Sequence, residues 1–273
     1  MLRLLWRRPT SRPISALSGQ AAVDGCGAPA QTSPGRPRRL SPARSRRRRA
    51  LTGYLLACGG GPLLFVLVFL AEGATRPGYS AWRHAVSQLS LGDHGWVNSA
   101  ALVVFGLLML GFARGLALTF PSGTGSTWGP RLVAVFGLSL IVAGLFVIDP
   151  SLDYPPGARQ TYTLHGLVHA LDAGPVLFGS LSAACLVFAR RFSGDSHWKG
   201  WQPYSIVTAA LVAGFFIACS VAAALDQYGV LSPGPGGLLQ RVSLISGLSW
   251  MALLAFRLLR IARATEQGVG GAA

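Results

Sequence analysis

Six apolar stretches, each long enough to cross a bilayer, predict an all-α integral membrane bundle of six transmembrane helices. The composition agrees, because 51% of the 273 residues are hydrophobic and only 12% are charged, where a soluble domain carries about 25%. The charge pattern agrees as well. Basic and acidic residues alternate between successive loops, as they do when a chain is threaded back and forth through a membrane.

Residues 1–50 form a basic tail ahead of the first stretch. Twelve arginines fall there, with Pro, Ser and Gly and the single acid Asp24, and the tail ends in Arg44-Ser45-Arg46-Arg47-Arg48-Arg49. Such a composition has too little apolar surface to fold on, so the tail is expected to be disordered. Its arginines are expected to stay in the cytoplasm and to attract anionic lipid headgroups, by about 1 kcal/mol per residue near the surface. An organellar transit peptide and an extension upstream of the true start are alternative readings. No nucleic-acid partner is expected, since the basic residues sit in a tail and do not cover a folded surface.

A helix rising 1.5 Å per residue needs about 20 residues to cross a hydrocarbon core of about 30 Å. The qualifying stretches lie near residues 51–71, 97–118, 131–148, 166–189, 204–225 and 238–257, so residues 51–262 form the membrane domain and 263–273 a short C-terminal tail. Gly59-Gly60-Gly61-Pro62 should loosen the first span. Gly106, Gly111 and Gly115 in the second, and Gly137 and Gly144 in the third, should let neighbouring helices approach closely. The cysteines Cys26, Cys58, Cys185 and Cys219 show no CxxC spacing and suggest neither disulfide nor zinc knuckle.

Arg114 and Arg131, then Arg190, Arg191 and Lys199, then Arg257, Arg260 and Arg263 share a side with the tail, which makes that side cytoplasmic and puts both termini there. Glu72, Asp93, Asp149, Asp153, Asp172 and Asp226 fall on the other side, with Arg76, Arg83, Arg159 and Arg241 as basic companions. Trp82, Trp96 and Tyr228 mark the outer boundary, and Trp128, Trp198, Trp201 and Tyr204 the inner one. The expected location is the plasma membrane of a bacterium, with membrane lipids as the immediate partners.

Four histidines join the acids on the outer side: His84, His94, His165 and His169. In the fourth span His165, His169 and Asp172 follow at i, i+4 and i+7, so both imidazoles could address one ion from one helix face. His165 and His169 are thus candidate metal ligands, zinc being a metal that suits them, with the third ligand to come from His84, His94, Asp93, Asp149 or Asp153; Asp149 sits at the boundary before Pro150. The bland alternative is a set of interfacial histidines bonded to nearby acids and carbonyls. Before the second span, residues 84–98 are too apolar for a solvent loop and predict a short amphipathic helix lying in the interface, ended by Gly92. Asn98, just inside that span, needs a buried partner.

Ser87-Gln88-Leu89-Ser90-Leu91-Gly92 with Trp96-Val97-Asn98, and later Gly144-Leu145-Phe146, Asp149-Pro150, Thr163, His165-Gly166 and His169, resemble the signature of the multi-pass membrane family of domain of unknown function 998. The resemblance covers about residues 50–262 and implies a bacterial or archaeal protein of six to seven spans with no activity attached. In order, Ser90-x-x-x-His94, Asp149 and His165-x-x-x-His169 are also similar to elements of the alkaline ceramidase and adiponectin-receptor type hydrolases. That similarity implies zinc on His94, His165 and His169, with Ser90 and Asp149 as catalytic candidates positioning a metal-bound water. Those hydrolases have seven spans and carry the histidine pair near the last. The reading that follows is a membrane protein whose outer His/Asp cluster is structural or binds a small ligand. A metal-dependent hydrolase of a lipid or amide is the alternative, and a small-molecule transporter a third.

Overall fold

The computed structural model of the chain describes residues 42–270. Most of the predicted basic tail lies outside that range. Residues 42–50, expected to belong to it, are instead helical, because α1 (Pro42–Ala57) begins ahead of the arginine run and includes it. Arginine is a good helix former, and extending an existing helix costs far less than starting one. A single 3₁₀ turn, Cys58–Gly60, joins α1 to α2 (Gly61–Thr75) where the glycines predict a loosened span.

The chain continues through α3 (Gly95–Thr119), α4 (Trp128–Leu145) and α5 (Leu164–Leu171). A π-turn at Asp172–Val176, holding Pro175, passes α5 into α6 (Leu177–Phe192), and α7 (Trp201–Gln227) and α8 (Gly236–Gly270) complete the order. The expected C-terminal tail is largely a continuation of α8. Among the described residues, six helical segments are long and apolar enough to cross a membrane: Ala50–Thr75, Gly95–Thr119, Trp128–Leu145, Leu164–Phe192, Trp201–Gln227 and Gly236–Ala264.

The spans pack as a ring in chain order, α3 on α4, α4 on α6, α6 on α7, α7 on α8, and α8 back on the first span, which also meets α3. An up-and-down path in chain order is the simplest way to bury an apolar seam on every helix. Inside the ring lie Phe65, Phe105, Phe112, Phe136, Leu181 and Trp250, with the rings of Phe65 and Phe105 stacked at 5.0 Å. Outside, Leu63, Leu67, Leu107, Leu138, Ile217 and Leu253 are exposed. Helices apolar on both faces belong in lipid. Polar side chains on the inner faces pin neighbouring spans: Ser182 Oγ donates to Ala209 O at 2.6 Å, Ser243 Oγ to Val212 O at 2.8 Å, and Trp250 Nε1 to Ser205 Oγ at 2.9 Å.

We call proximal the bundle end that carries both described chain ends, and distal the opposite end. At the proximal end Trp198 is buried, though the sequence predicts an interfacial ring. It stacks on Phe192 at 4.1 Å, and the Arg257 guanidinium covers it at 4.9 Å. A ring sandwiched between another ring and a cation gains more from packing than from the headgroup zone.

Candidate ligand-binding site at the distal end

The segment between α2 and α3 covers the distal end and contains a 3₁₀ turn, Val86–Ser90. It does not lie on the interface as an amphipathic helix. Val86, Gln88, Leu89 and Ser90 are all buried, because side chains from the bundle satisfy a backbone too short to satisfy itself. Val86 N–H donates to Gln240 Oε1 at 2.7 Å, and Ala85 N–H to Gln88 Oε1 at 2.9 Å. Asn98 finds its predicted buried partners in Ser90 Oγ at 2.8 Å and Val86 O at 3.2 Å. Gly92 ends the turn with φ +77°, a conformation costly for any other residue.

Three arginines lock this cap. Arg76 Nη2 donates to Glu72 at 2.8 Å, to Leu89 O at 3.1 Å and to His94 O at 2.6 Å. Arg241, buried on α8, gives Nη1 to the carbonyls of Ala81, His84 and Gly237 at 2.9–3.0 Å, and Nη2 to the Tyr79 hydroxyl. Arg83 grips both oxygens of Asp226, through Nε at 2.7 Å and Nη2 at 2.9 Å, while Nη1 meets Asp153 at 2.9 Å. The planar guanidinium fork matches a carboxylate, which a lysine cannot do. Sequence reasoning placed these arginines on the acidic side but missed their role. The available signal was their departure from the charge asymmetry, since a basic residue among acids beside a membrane requires a partner.

His84 stands at the centre of the cap. Its Nδ1 accepts from Ser80 N–H at 2.9 Å, so the ring proton sits on Nε2 and is donated to Leu152 O, also at 2.9 Å. Burial pushes its pKa below the ordinary histidine value, and the neighbouring Arg83 charge adds to that; the Leu152 carbonyl, Asp226 and Asp153 oppose it. The neutral imidazole is the form these partners fit. It holds a strained corner, with Leu152 and Asp153 in the left-handed region at φ 54° and 60°, a conformation costing about 1–3 kcal/mol per residue. Gln88 Nε2 adds a bond to Ser151 O at 2.9 Å.

The entrance to the fourth span is a capping structure. Thr163 Oγ1 accepts from Gly166 N–H at 3.0 Å and donates to Asp149 Oδ1 at 2.7 Å, and Thr163 N–H donates to Asp149 Oδ2 at 2.8 Å. A carboxylate at a helix N-terminus is favoured by the unsatisfied amides and the macrodipole. A Cβ on Gly166 would run into that carboxylate, so glycine is required there.

The predicted site residues are placed as follows. Ser90 is occupied by Asn98 and Asp149 by Thr163. His94 is exposed, and Arg76 holds only its backbone carbonyl. His165 is exposed with its ring 5.2 Å from that of Phe146, whereas His169 is buried and its Nδ1 bonds to Phe146 O at 2.7 Å. The two histidines therefore stand in different surroundings, one exposed and one buried against the Phe146 carbonyl. Residues four apart differ by about 40° around a helix, and the edge of the bundle falls between them. Asp172 enters the π-turn and accepts from Ser139 Oγ at 2.9 Å, leaving its Oδ2 buried without a hydrogen-bond partner. Among the described residues, no three His, Cys, Asp or Glu side chains gather as a metal-binding group.

Beneath the cap the ring encloses a partly open cavity of about 240 Å³. Every span contributes an apolar wall, Phe65, Leu102, Leu140, Leu177, Phe216 and Leu244 in chain order, and His169, Gln88 and Gln240 add polar groups. A second, polar pocket of about 180 Å³ adjoins it, lined by Asp153, Gln160, Asp226 and Gln227 and sharing Arg83, Ser151 and Leu152 with the first.

Residues 60–257 match the sequence profile of the family described as Protein of unknown function (DUF998). The chain belongs to this family. No curated protein and no solved structure matches it. The residues that carry the DUF998 resemblance build the cap and the fourth-span entrance in this chain: Gln88, Ser90, Gly92 and Asn98 fold the distal turn into the bundle, and Asp149, Thr163 and Gly166 form the helix cap. Of the same DUF998 signature, Ser87, Gln88 and His169 reach the cavity wall.

Proposed function

We propose that this DUF998 protein is a membrane-embedded binding protein for a small amphipathic molecule, with its apolar part in the central cavity and its polar part among Arg83, Asp153 and Asp226. The observation that carries the reading is the adjacency of an apolar cavity and a polar pocket that share Arg83, Ser151 and Leu152 in their linings. Sites for small ligands are mostly apolar with a few placed polar groups and usually span about 300–1,000 Å³, so this smaller cavity suits one slim chain. In the polar pocket one guanidinium faces two carboxylates, a balance that favours an uncharged or zwitterionic head over an anionic one.

Ala143, buried on the cavity wall, provides the test. In lipid nanodiscs the wild type should bind a fluorescent monoacylglycerol saturably, and Ala143→Phe should weaken it about tenfold or more. Equal binding by both proteins would defeat the proposal. Metal analysis of the same preparations separates the rival chemistry, because stoichiometric zinc lost on His165→Ala with His169→Ala would favour the hydrolase.

The positive-inside pattern supports an outer position for the distal end and a cytoplasmic one for both termini. Reporter fusions after Ala189 should read cytoplasmic and those after Leu225 external. The opposite readings would invert the orientation.

A further inference from the structure

The cavity wall is incomplete between the fourth and fifth spans. α5 and the π-turn pack on one another, and the turn packs on α4 and α6, but neither makes more than glancing contact with α7. Ala170 on the fourth span and Ser220 on α7 line the cavity and are also exposed, and Ala173 and Ala223 beside them are half-buried. Residues that line an interior space while remaining exposed mark a place where that space reaches the surface.

The gap has a local cause. The π-turn at Asp172–Val176 widens the helix and carries Pro175, which lacks an N–H and cannot continue regular bonding. Small residues normally draw membrane helices together. Here the helices stay apart, and Ala170, Ala173, Ser220 and Ala223 leave an opening. Its floor is the Phe178–Phe216 stack at 4.6 Å, below which α6 and α7 close.

The opening lies at hydrocarbon depth. Ala170 and Ala173 follow Leu164, the first residue of α5, by six and nine residues, which at 1.5 Å per residue is about 9–14 Å below the distal end of the span. What faces it in a bilayer is acyl chain. Above it, toward the distal end, stands the polar pocket of Arg83, Asp153 and Asp226. Polarity along the membrane normal therefore runs in the same order as in a lipid of the distal leaflet, so such a lipid can move sideways into the site without inverting.

We infer that the ligand is a lipid of the surrounding distal leaflet with an uncharged or zwitterionic head, whose acyl chain enters laterally between the fourth and fifth spans past Ala170 and Ser220. The inference rests on the amphipathic-ligand reading above and names both its ligand class and its route. An aqueous amphiphile would come instead past Arg83 and Ser151.

The test uses the full chain in nanodiscs and two photoactivatable probes: a phosphatidylcholine carrying a diazirine near the acyl terminus, and a short uncharged alkyl glycoside carrying the same group. Both should label cavity-lining peptides of the wild type. Ser220→Trp, or Ala170→Trp where the first variant folds poorly, should lower phosphatidylcholine labelling about tenfold or more and lower glycoside labelling far less. Undiminished phosphatidylcholine labelling in both portal variants, with its loss in Ala143→Phe, would overturn the lateral route while the binding reading stands. Loss of both probes in the portal variants would also overturn it, since the cavity would have collapsed. Labelling of the wild-type cavity by neither probe would remove the binding reading itself.

Discussion

Arg83→Met should destabilise the protein by about 3–5 kcal/mol, the range for removing one partner of a buried ion pair. The magnitude follows from Asp226, whose side chain is 1% exposed and would lose the guanidinium that grips both its oxygens. Its other donors, Gly234 N–H at 3.0 Å and the Ser232 hydroxyl, cannot replace a charge. Asp153 is 87% exposed, so Asp153→Asn should cost less than about 1 kcal/mol, as for other surface pairs. Unfolding midpoints in detergent measure all three proteins. Arg83→Met combined with Asp226→Leu should recover most of the loss, because a buried pair replaced by apolar groups leaves no stranded charge. Equal losses at Arg83 and Asp153 would refute this assignment of the burden.

Gly106→Val should be at least as damaging, at about 3 kcal/mol or more, the upper range for overpacking a closed interior. A Cβ at Gly106 would stand 2.5 Å from Gly137 O and 3.1 Å from Ile141 N, which are backbone atoms of α4. They can yield only if α3 and α4 separate. The reciprocal contact is equally tight, since a Cβ on Gly137 would lie 2.9 Å from Gly106 O. Gly214→Val is the control. A Cβ there meets nothing within 4 Å, so its cost is confined to local helix preference. Yield of monodisperse protein and unfolding midpoint should separate the two variants, and similar losses would show that the α3–α4 contact is not the cause.

Much of the fold was legible because hydropathy over about 20 residues is a local property and the bilayer imposes a fixed length on it. The six spans, the glycines between α3 and α4, and the need of Asn98 for a partner can all be read from neighbouring residues. Helix ends were less legible. α1 and α8 run past the apolar stretches because charged residues with good helix propensity extend a helix beyond the membrane boundary.

The distal site divides along the same line. The residues of the cap were recognisable as a motif, and His84, Asp153 and Asp226, grouped by their sequence positions, do gather at one end of the bundle, whereas Asp172 lies inside the fourth span on Ser139. Which of them meet was not legible. Ser90 and Asp149 look like catalytic groups when they stand beside histidines in the sequence, yet one fastens a turn to α3 and the other caps α5. Arg83 and Asp226 are separated by most of the chain, and only packing brings a guanidinium from the first distal loop onto the end of α7.

By itself, then, the sequence determined that the chain is a six-span helical membrane protein with asymmetric charge and a DUF998 signature, since these depend on apolar length, composition and short motifs. The tertiary structure alone decided that the signature covers one end of a ring, that His169 is buried while His165 is exposed, and that an apolar cavity lies beneath Arg83. Cavities and ion pairs arise where surfaces from distant segments fail or succeed in filling the same space. No local pattern records that.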